Sequence, residues 1–508
     1  WSYWGPEILK RLDGMFAFSI WDKKNKILFL ARDRFGKKPL VFTLLENSIA
    51  FSSDIRSLRE ISNEGGINKL AIRSLFRFRF IHEPLTIYSN FQKLPAGSFL
   101  KFSSEGVVIK RWFKINNKTI DRDIEDSNMK ILDLTTKAVE KRLVSDVPLG
   151  VFLSGGIDSG IISACLAKLG KKVPHFTVGF RSLDNYYDEL DNAKKLTKYF
   201  GFEHNFLYLD TKKIIPLIDD ISETCDEPFA DSSTIAAYII AKETSQHVKV
   251  ALSGDGGDEI FGGYRKYIAY RWHFLTKYFP LFLKNYFGSS LKNFKHNKKS
   301  EIVRKCKRLI LNTDIDTNKM QINFLDQLSD YEYQELFGEK KINTEENSFD
   351  DIENFDDNLN HILARDIKFS LPGDMLVKID KTSMKHGLEV RSPFLDKDLA
   401  NYAFSISGKN KIGFTKGKKI LRKAFSKEFP SGYLNLPKKG FEVPLDRWLL
   451  SDLKYLVDQS SSSKILESLE IQNKNIIEHW KNDFFEGKLD NSWKLWTLIS
   501  YAKWAEIN

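Results

Sequence analysis

At 508 residues the chain is long enough for about two to four folded units, and 42% hydrophobic with 29% charged residues is the balance of a globular protein with a sizeable core. No run of roughly 18 apolar residues is present, which argues against a helical membrane protein, and the net charge of +11, from 78 Lys and Arg against 67 Asp and Glu, reads as a lysine-rich composition before it reads as a nucleic-acid surface. Cys165, Cys225 and Cys306 follow neither a metal-ligand nor a disulfide spacing, so a reducing, cytoplasmic setting is expected.

Residues 14–55 alternate short apolar runs with turn residues (GMFAFSIWD, KKN, KILFLARD, RFGKKPL), the pattern of a β-hairpin followed by further strands. A second β-rich piece, 91–112, carries two glycine-containing turns in LPAGSFLKFSSEG. From residue 121 a helical period takes over, with Ile131, Leu132, Leu134, Val139 and Leu143 as its apolar positions. A boundary near 115–125 is expected, dividing the chain into 1–118 and 119–508. Beyond it the pattern reads strand 149–153, helix to about 169, strand 173–178, helix 188–199, strand 203–209, helix around 236–244 and strand 248–252. That alternation predicts a parallel, doubly wound sheet with right-handed crossovers. Roughly the last 240 residues read as mostly helical. A basic cluster at 292–308 and an acidic stretch at 345–357 bracket a segment with few motifs, expected to be a surface insertion. No aromatic platform interleaves the basic cluster, so no nucleic-acid partner is expected. No internal repeat is visible.

Two glycine-rich turns carry the chemistry. Leu153-Ser154-Gly155-Gly156-Ile157-Asp158-Ser159 stands directly after a buried strand and before a helix. Gly155 and Gly156 let the backbone turn tightly with its N–H groups toward phosphate oxygens, Ser154 and Ser159 add hydroxyl donors, and the helix N-terminus favours the anion. Asp158 is then placed to hold Mg²⁺ against a pyrophosphate. The bland alternative is a strand-to-helix turn with a serine cap, which does not need Ser-Gly-Gly, Asp and Ser together. No Lys follows the glycines, so this is not the GxxxxGK[ST] phosphate loop. The second turn, Ser253-Gly254-Asp255-Gly256-Gly257-Asp258-Glu259, packs three glycines and three carboxylates between a strand and IFGGY. Carboxylates facing a triphosphate repel it unless a divalent cation intervenes, which makes Asp258 the second Mg²⁺ ligand in this reading. An Asp/Gly-rich surface turn is the alternative.

The first turn resembles the PP-motif, SGGxDS, of enzymes that cleave ATP between its α and β phosphates. Together with DEPFADSS (226–233), LPGDMLVKIDKTSMKHGLEVRSPFLD (371–396), KGKKILRKAF (416–425) and KKGFEVPLDRW (438–448), it makes the chain resemble the glutamine-dependent asparagine synthetase family over essentially its whole length. GMFAFSIWD…LFLARDRFGKKPL (14–40) resembles the far end of that family's glutaminase domain. The resemblance implies an α/β fold: a doubly wound parallel-sheet ATP pyrophosphatase domain with a helical C-terminal part, preceded by a β-rich remnant of an N-terminal-nucleophile glutaminase. It implies ATP and Mg²⁺ as cofactors, with L-aspartate and glutamine or ammonia as substrates. By the same resemblance Leu153 and Val178 are adenine- or ribose-side contacts, Ser253 and Gly254 further ATP contacts, and Asp158 and Asp258 the metal ligands. Asp255 matches the position implicated in forming β-aspartyl-AMP, where some relatives carry Glu. Glu389 matches a carboxylate near the reacting centre, with an ion pair to Arg391 as the alternative use. Lys418 matches the lysine that meets the phosphates, although Lys416 and Lys419 crowd beside it. For holding aspartate, Asp231, Ser232, Arg265 and Arg391 are candidates. A homodimer is compatible with the sequence, which does not fix the oligomeric state.

The family's glutaminase attacks with a Cys at the mature N-terminus, whereas position 1 here is Trp. The expectation is a chain lacking the N-terminal part of that domain, with exposed sheet edges there, that amidates with free ammonia and not with glutamine. Rival readings are another ATP-dependent amide-forming relative, such as a β-lactam synthetase or one that amidates a sugar acid or closes a peptide ring, a non-catalytic ATP-binding relative, and an RNA-modifying PP-motif enzyme. The last lacks paired cysteines for sulfur transfer.

Overall fold

The computed structural model describes residues 1–62, 65–180, 190–209, 211–276, 317–341, 352, 354–436 and 443–508. The basic cluster at 292–308, Cys306, most of the acidic stretch and the first residues of KKGFEVPLDRW lie outside the described residues.

The first strands form because apolar residues alternate and the turns are chemically specified. Strands β1 (Ala17–Asp22) and β2 (Ile27–Arg32) pair as an antiparallel hairpin. Its turn is closed by Asp22, whose carboxylate accepts the N–H groups of Lys24 and Asn25 at 3.0 Å. Strands β3 (Val41–Leu45) and β4 (Ser48–Ser52) make a second hairpin, to which the short β5 (Gln92–Lys93) adds. Strands β6 (Ser98–Ser103) and β7 (Gly106–Arg111) complete a four-stranded sheet in the order β1-β2-β6-β7. Its edges leave Trp21, Val108 and Ile109 exposed. A helix at Lys69–Phe78, capped by Asn68, is absent from the sequence reading. Its Ala71, Ile72, Leu75 and Phe76 are buried in the same apolar core as the C-terminal helix Ser492–Ile507.

Residues beyond Ile124 fold around one parallel sheet. Strands β8 (Leu149–Phe152), β9 (His175–Phe180), β10 (His204–Leu209), β11 (Val250–Leu252) and β12 (Glu389–Arg391) lie in the order β10-β9-β8-β11-β12, and every pair is parallel. Four of the five lie where alternation placed them. The fifth, β12, comes from the region read as helical and is three residues long, too short to show a period. Parallel strands buried on both faces need helices on both sides. One core joins Phe176, Val178, Ala251 and Val390 to the helix Ser233–Thr244. The other joins Val151, Leu153 and Leu252 to the helices Ile124–Lys141 and Ile157–Lys168. From β8 the chain proceeds outward through β9 and β10, then returns to lay β11 on the other side of β8. Strand order therefore reverses between β8 and β11, and a crevice opens there beyond their C-terminal ends. No helix among the described residues is long and apolar enough to cross a membrane.

Candidate active site

Both glycine-rich turns leave the sheet at this reversal. Leu153 extends the ladder past the end of β8, its N–H bonding Phe176 O at 2.9 Å and its carbonyl accepting from Thr177 Oγ1 at 2.6 Å. The chain then turns through Gly155 at φ +77°, a left-handed conformation in which a side chain would be strained. Ser154 Oγ accepts the Gly156 N–H at 3.2 Å, and the Ser154 N–H in turn donates to Ser159 Oγ at 3.2 Å. Tyr433 Oη donates to the Gly155 carbonyl at 2.8 Å, holding the turn from the far side. Gly156 starts the helix Ile157–Lys168 with no side chain capping it. The first-turn N–H groups of that helix form an anion cradle of the type that holds phosphates.

The second turn is tied to β12 as well as to β11. Ser253 N–H bonds Arg391 O at 2.9 Å, and Ser253 Oγ donates to Asp255 Oδ2 at 2.6 Å while lying 3.1 Å from Ser392 Oγ. A short helix, Gly257–Phe261, follows with Asp258 and Glu259 in its first turn. Tyr264 Oη donates to Glu259 Oε1 at 2.7 Å. Burial, reinforced by the neighbouring Asp258 charge, pushes the Glu259 carboxyl up to about 7.

Lys418 joins the two turns. Its ammonium is ion-paired with Asp158 and lies 2.5 Å from Asp258 Oδ1, with only 3% of the residue exposed. The backbone at Lys418 is left-handed, φ 56° and ψ 34°, a conformation costing a non-glycine residue about 1 kcal/mol or more. The surroundings over-determine it, because the 416–418 segment crosses directly above Gly262 and Gly263. A methyl group at Gly263 would overlap both Asp258 Oδ1 and Lys418 Cε, and one at Gly417 would overlap the Gly262 carbonyl. The glycine pair in IFGGY is thus the space through which the lysine reaches the carboxylates. Two carboxylates, one from each glycine-rich turn, converge on one cation; a divalent metal in that place would take its remaining ligands from phosphate and water oxygens. Asp158 and Asp258 therefore fit Mg²⁺.

The remaining sequence candidates are more dispersed. Leu153 and Val178 are buried on opposite faces of the sheet, and Gly254 packs within van der Waals reach of Asp158. Glu389 opens β12, paired with Val250 at the start of β11 and so at the opposite end of that strand from the turn. It is ion-paired with Arg391 at 2.6 Å, and Arg391 also donates to the carbonyls of Arg142 and Val144 at 2.9 and 2.6 Å. These bonds give Arg391 a structural occupation. Arg265 begins its helix exposed, while Ser232 is buried.

Asp231 belongs to a buried polar cluster that sequence reasoning reached only in part. Lys378 Nζ donates to Asp231 Oδ2 at 2.7 Å and Ser233 Oγ at 2.8 Å. Although burial opposes it, the charges of Lys378 and Arg79 hold the Asp231 carboxyl well below the usual range. Burial and the Asp231 charge push Asp374 up to about 7. Lys378 and Asp374 were present in LPGDMLVK, but nothing local sets them apart from ordinary helix residues. Tyr433 was equally unmarked. Burial pushes the thiols of Cys165 and Cys225 up to about 12, so neither is activated as a nucleophile.

Residues 130–506 match the family model described as asparagine synthase, and residues 1–113 match that of a glutamine amidotransferase domain. The chain is 31% identical over 530 aligned positions to asparagine synthetase (glutamine-hydrolyzing) 1 of Bacillus subtilis, covering 100% of this chain and 80% of that protein. Asparagine synthetase (glutamine-hydrolyzing) 3 of the same organism is 27% identical over 461 positions, covering 86% of this chain and 68% of that one. A rice (Oryza sativa subsp. japonica) asparagine synthetase (glutamine-hydrolyzing) 2 is 31% identical over 278 positions, 51% of this chain and 41% of its own. A solved NMN synthetase from Francisella tularensis aligns with 56% of this chain and 94% of its own at 12% identity and a TM-score of 0.20, too weak a likeness to bear on the fold. With a family model matching most of its length and a relative above 30% identity along all of it, the chain belongs to the asparagine synthase family and is a ligase.

Proposed function

We propose that residues 119–508 activate the side-chain carboxylate of L-aspartate as β-aspartyl-AMP, using ATP, and that ammonia then displaces AMP to give L-asparagine. The observation that carries this reading is the Lys418 ammonium set between Asp158 and Asp258 at the reversal of strand order. In this reading the turn at 154–159 holds the phosphates through backbone N–H groups and the Ser154 and Ser159 hydroxyls, with Leu153, Val178, Ser253 and Gly254 on the nucleotide side. Asp158 and Asp258 would hold Mg²⁺, which when bound would neutralise charge at the pyrophosphate. Lys418 supplies a fixed positive charge beside the departing pyrophosphate, pre-organised by its strained backbone.

The carboxylate oxygen of aspartate attacks the α-phosphorus and the bond to the β-phosphate oxygen breaks, releasing pyrophosphate. A carboxylate is a poor electrophile and its mixed anhydride with AMP a good one, so ammonia adds at the carbonyl and AMP leaves with the bridging oxygen. Asp255, anchored by Ser253, is assigned to the adenylation step, while Glu389, at the end of β12 away from the turn and paired with Arg391, is assigned to that ion pair instead of to the chemistry. Asp231 with Lys378 is the best-supported acceptor contact among the aspartate candidates, since both are buried and charged. Residues 1–118 are assigned to the glutaminase-type unit, with glutamine as the ammonia source in the whole protein.

Pyrophosphate release measured with ammonia and a panel of carboxylates tests the assignment. Aspartate is expected to support release of AMP and pyrophosphate in equal amounts with asparagine. Preference for another carboxylate would reassign the acceptor, and ADP as the product would remove the adenylation mechanism.

A further inference from the structure

The loop joining β2 to β3 is locked to an unusual degree. The buried Asp33 carboxylate accepts the N–H groups of Phe35 (3.2 Å), Lys37 (3.0 Å) and Lys38 (2.9 Å) from within the loop, and of Phe16 (3.3 Å) from outside it. From the other side the Arg32 guanidinium donates to Gly36 O at 2.8 Å, Lys38 O at 2.7 Å and Leu94 O at 2.7 Å, and pairs with Glu83. A loop fixed through both its N–H and its carbonyl groups presents its side chains in one direction.

Those side chains cross into the other unit. Lys38 Nζ pairs with Asp380 at 2.7 Å, on the same helix as Lys378. Lys37, a buried residue, donates from Nζ to Ser392 Oγ at 2.6 Å. Ser392 Oγ lies 3.1 Å from Ser253 Oγ, which donates to Asp255 Oδ2 at 2.6 Å. A chain of three hydrogen bonds thus runs from an ammonium in the glutaminase-type unit to a carboxylate in the adenylating turn. A lysine in a low-dielectric interior is costly without an anionic counterpart. Burial pushes the Lys37 ammonium down to about 8, and the charge that most opposes this is that of Asp255. Ser253 has one hydroxyl proton; with Ser392 accepting from Lys37 and donating to Ser253, that proton is directed onto Asp255.

We propose that Lys37 is a positioning residue for the adenylation reaction: through Ser392 and Ser253 it fixes the Asp255 carboxylate, so the glutaminase-type unit sets the geometry of the synthetase turn. Docking of the two units then bears directly on the rate of adenylation. This rests on the reading of the adenylating site given above.

The test is aspartate-dependent ATP–pyrophosphate exchange in the whole chain, comparing Lys37→Met, Ser392→Ala, their combination, and Lys38→Met. Lys37→Met and Ser392→Ala are each expected to lower kcat for exchange about tenfold with KM for ATP within about twofold, and the double variant to fall no further than either single one. Lys38→Met, which breaks the adjacent ion pair across the same interface but not the serine chain, is expected to keep kcat. The proposal is overturned if Ser392→Ala exchanges at the wild-type rate, if the two losses multiply, or if Lys38→Met loses as much as Lys37→Met. Ser392→Ala decides the matter even if Lys37→Met does not fold. Absence of aspartate-dependent exchange in the wild-type chain would instead remove the underlying reading of the reaction.

Discussion

Asp158 and Asp258 stand just beyond the C-terminal ends of neighbouring parallel strands and share the buried Lys418 ammonium. Glu389 stands at the start of the next strand and pairs with Arg391, two residues along. The first two carboxylates open helices that follow the sheet and the third lies in the sheet itself, each with a cation. At the first pair the cation arrives from a distant segment on a strained backbone, through a gap kept open by glycines. At the second it comes from the same strand, with 42% of the Glu389 side chain exposed, where an ion pair contributes about 0–1 kcal/mol. An arrangement that stores strain to bring charges together has a use beyond stability, whereas a local pair between neighbours needs no further use.

The largest effect is expected from Lys418→Met. Loss of a pre-organised charge at the reacting phosphates should lower pyrophosphate exchange by about 10²–10³-fold. Asp258→Asn should cost about 10²-fold and raise the Mg²⁺ concentration needed for half-maximal exchange, a shift that Glu389→Gln should not produce. Tyr433→Phe removes the donor to the Gly155 carbonyl. A neutral hydrogen bond is worth about 1 kcal/mol, so KM for ATP should rise about fivefold with kcat little changed. Glu389→Gln should leave exchange within about threefold if the ion pair is its whole role. A loss as large as that of Lys418→Met would erase the contrast between the two ends of the sheet and restore Glu389 to the chemistry.

The smallest expected effect is at the buried polar cluster of Asp231, Lys378 and Asp374. Asp374 is raised from 3.8 to about 7 by burial and by Asp231, so the folded state binds its proton more tightly than the unfolded chain does. Its stabilising contribution is fully present below about 4 and is lost as pH rises toward about 7. Denaturant melts across that window should show stability falling with pH from this group. Asp374→Asn should flatten the fall; an unchanged slope would show that Asp374 is not the titrating group.

How far the sequence reached follows from where each signal resides. The turns at 153–159 and 252–259 were legible because every residue type in them serves one local geometry, and four strands were legible because short segments rich in apolar and aromatic residues alternate with helical stretches. β12 was not, since Glu-Val-Arg has no period to detect and is a strand only because β11 offers it an edge. The helix Lys69–Phe78 sat between β-rich stretches, and its cap at Asn68 went unread. The Lys37–Ser392 bond joins residues 355 positions apart, and no local pattern marks either one. Sequence identified Lys418 only through resemblance. Its meeting with Asp158 and Asp258 is a property of the folded chain.

The most direct test of the adenylation claim follows the oxygen. With both side-chain carboxylate oxygens of aspartate labelled as ¹⁸O, and ammonia as donor, attack on the α-phosphorus requires that one labelled oxygen leave with AMP. Mass spectrometry should find AMP carrying one ¹⁸O and asparagine retaining one. Label in inorganic phosphate with unlabelled AMP would contradict the account, because the carboxylate would then have been activated by phosphorylation at the γ-phosphate.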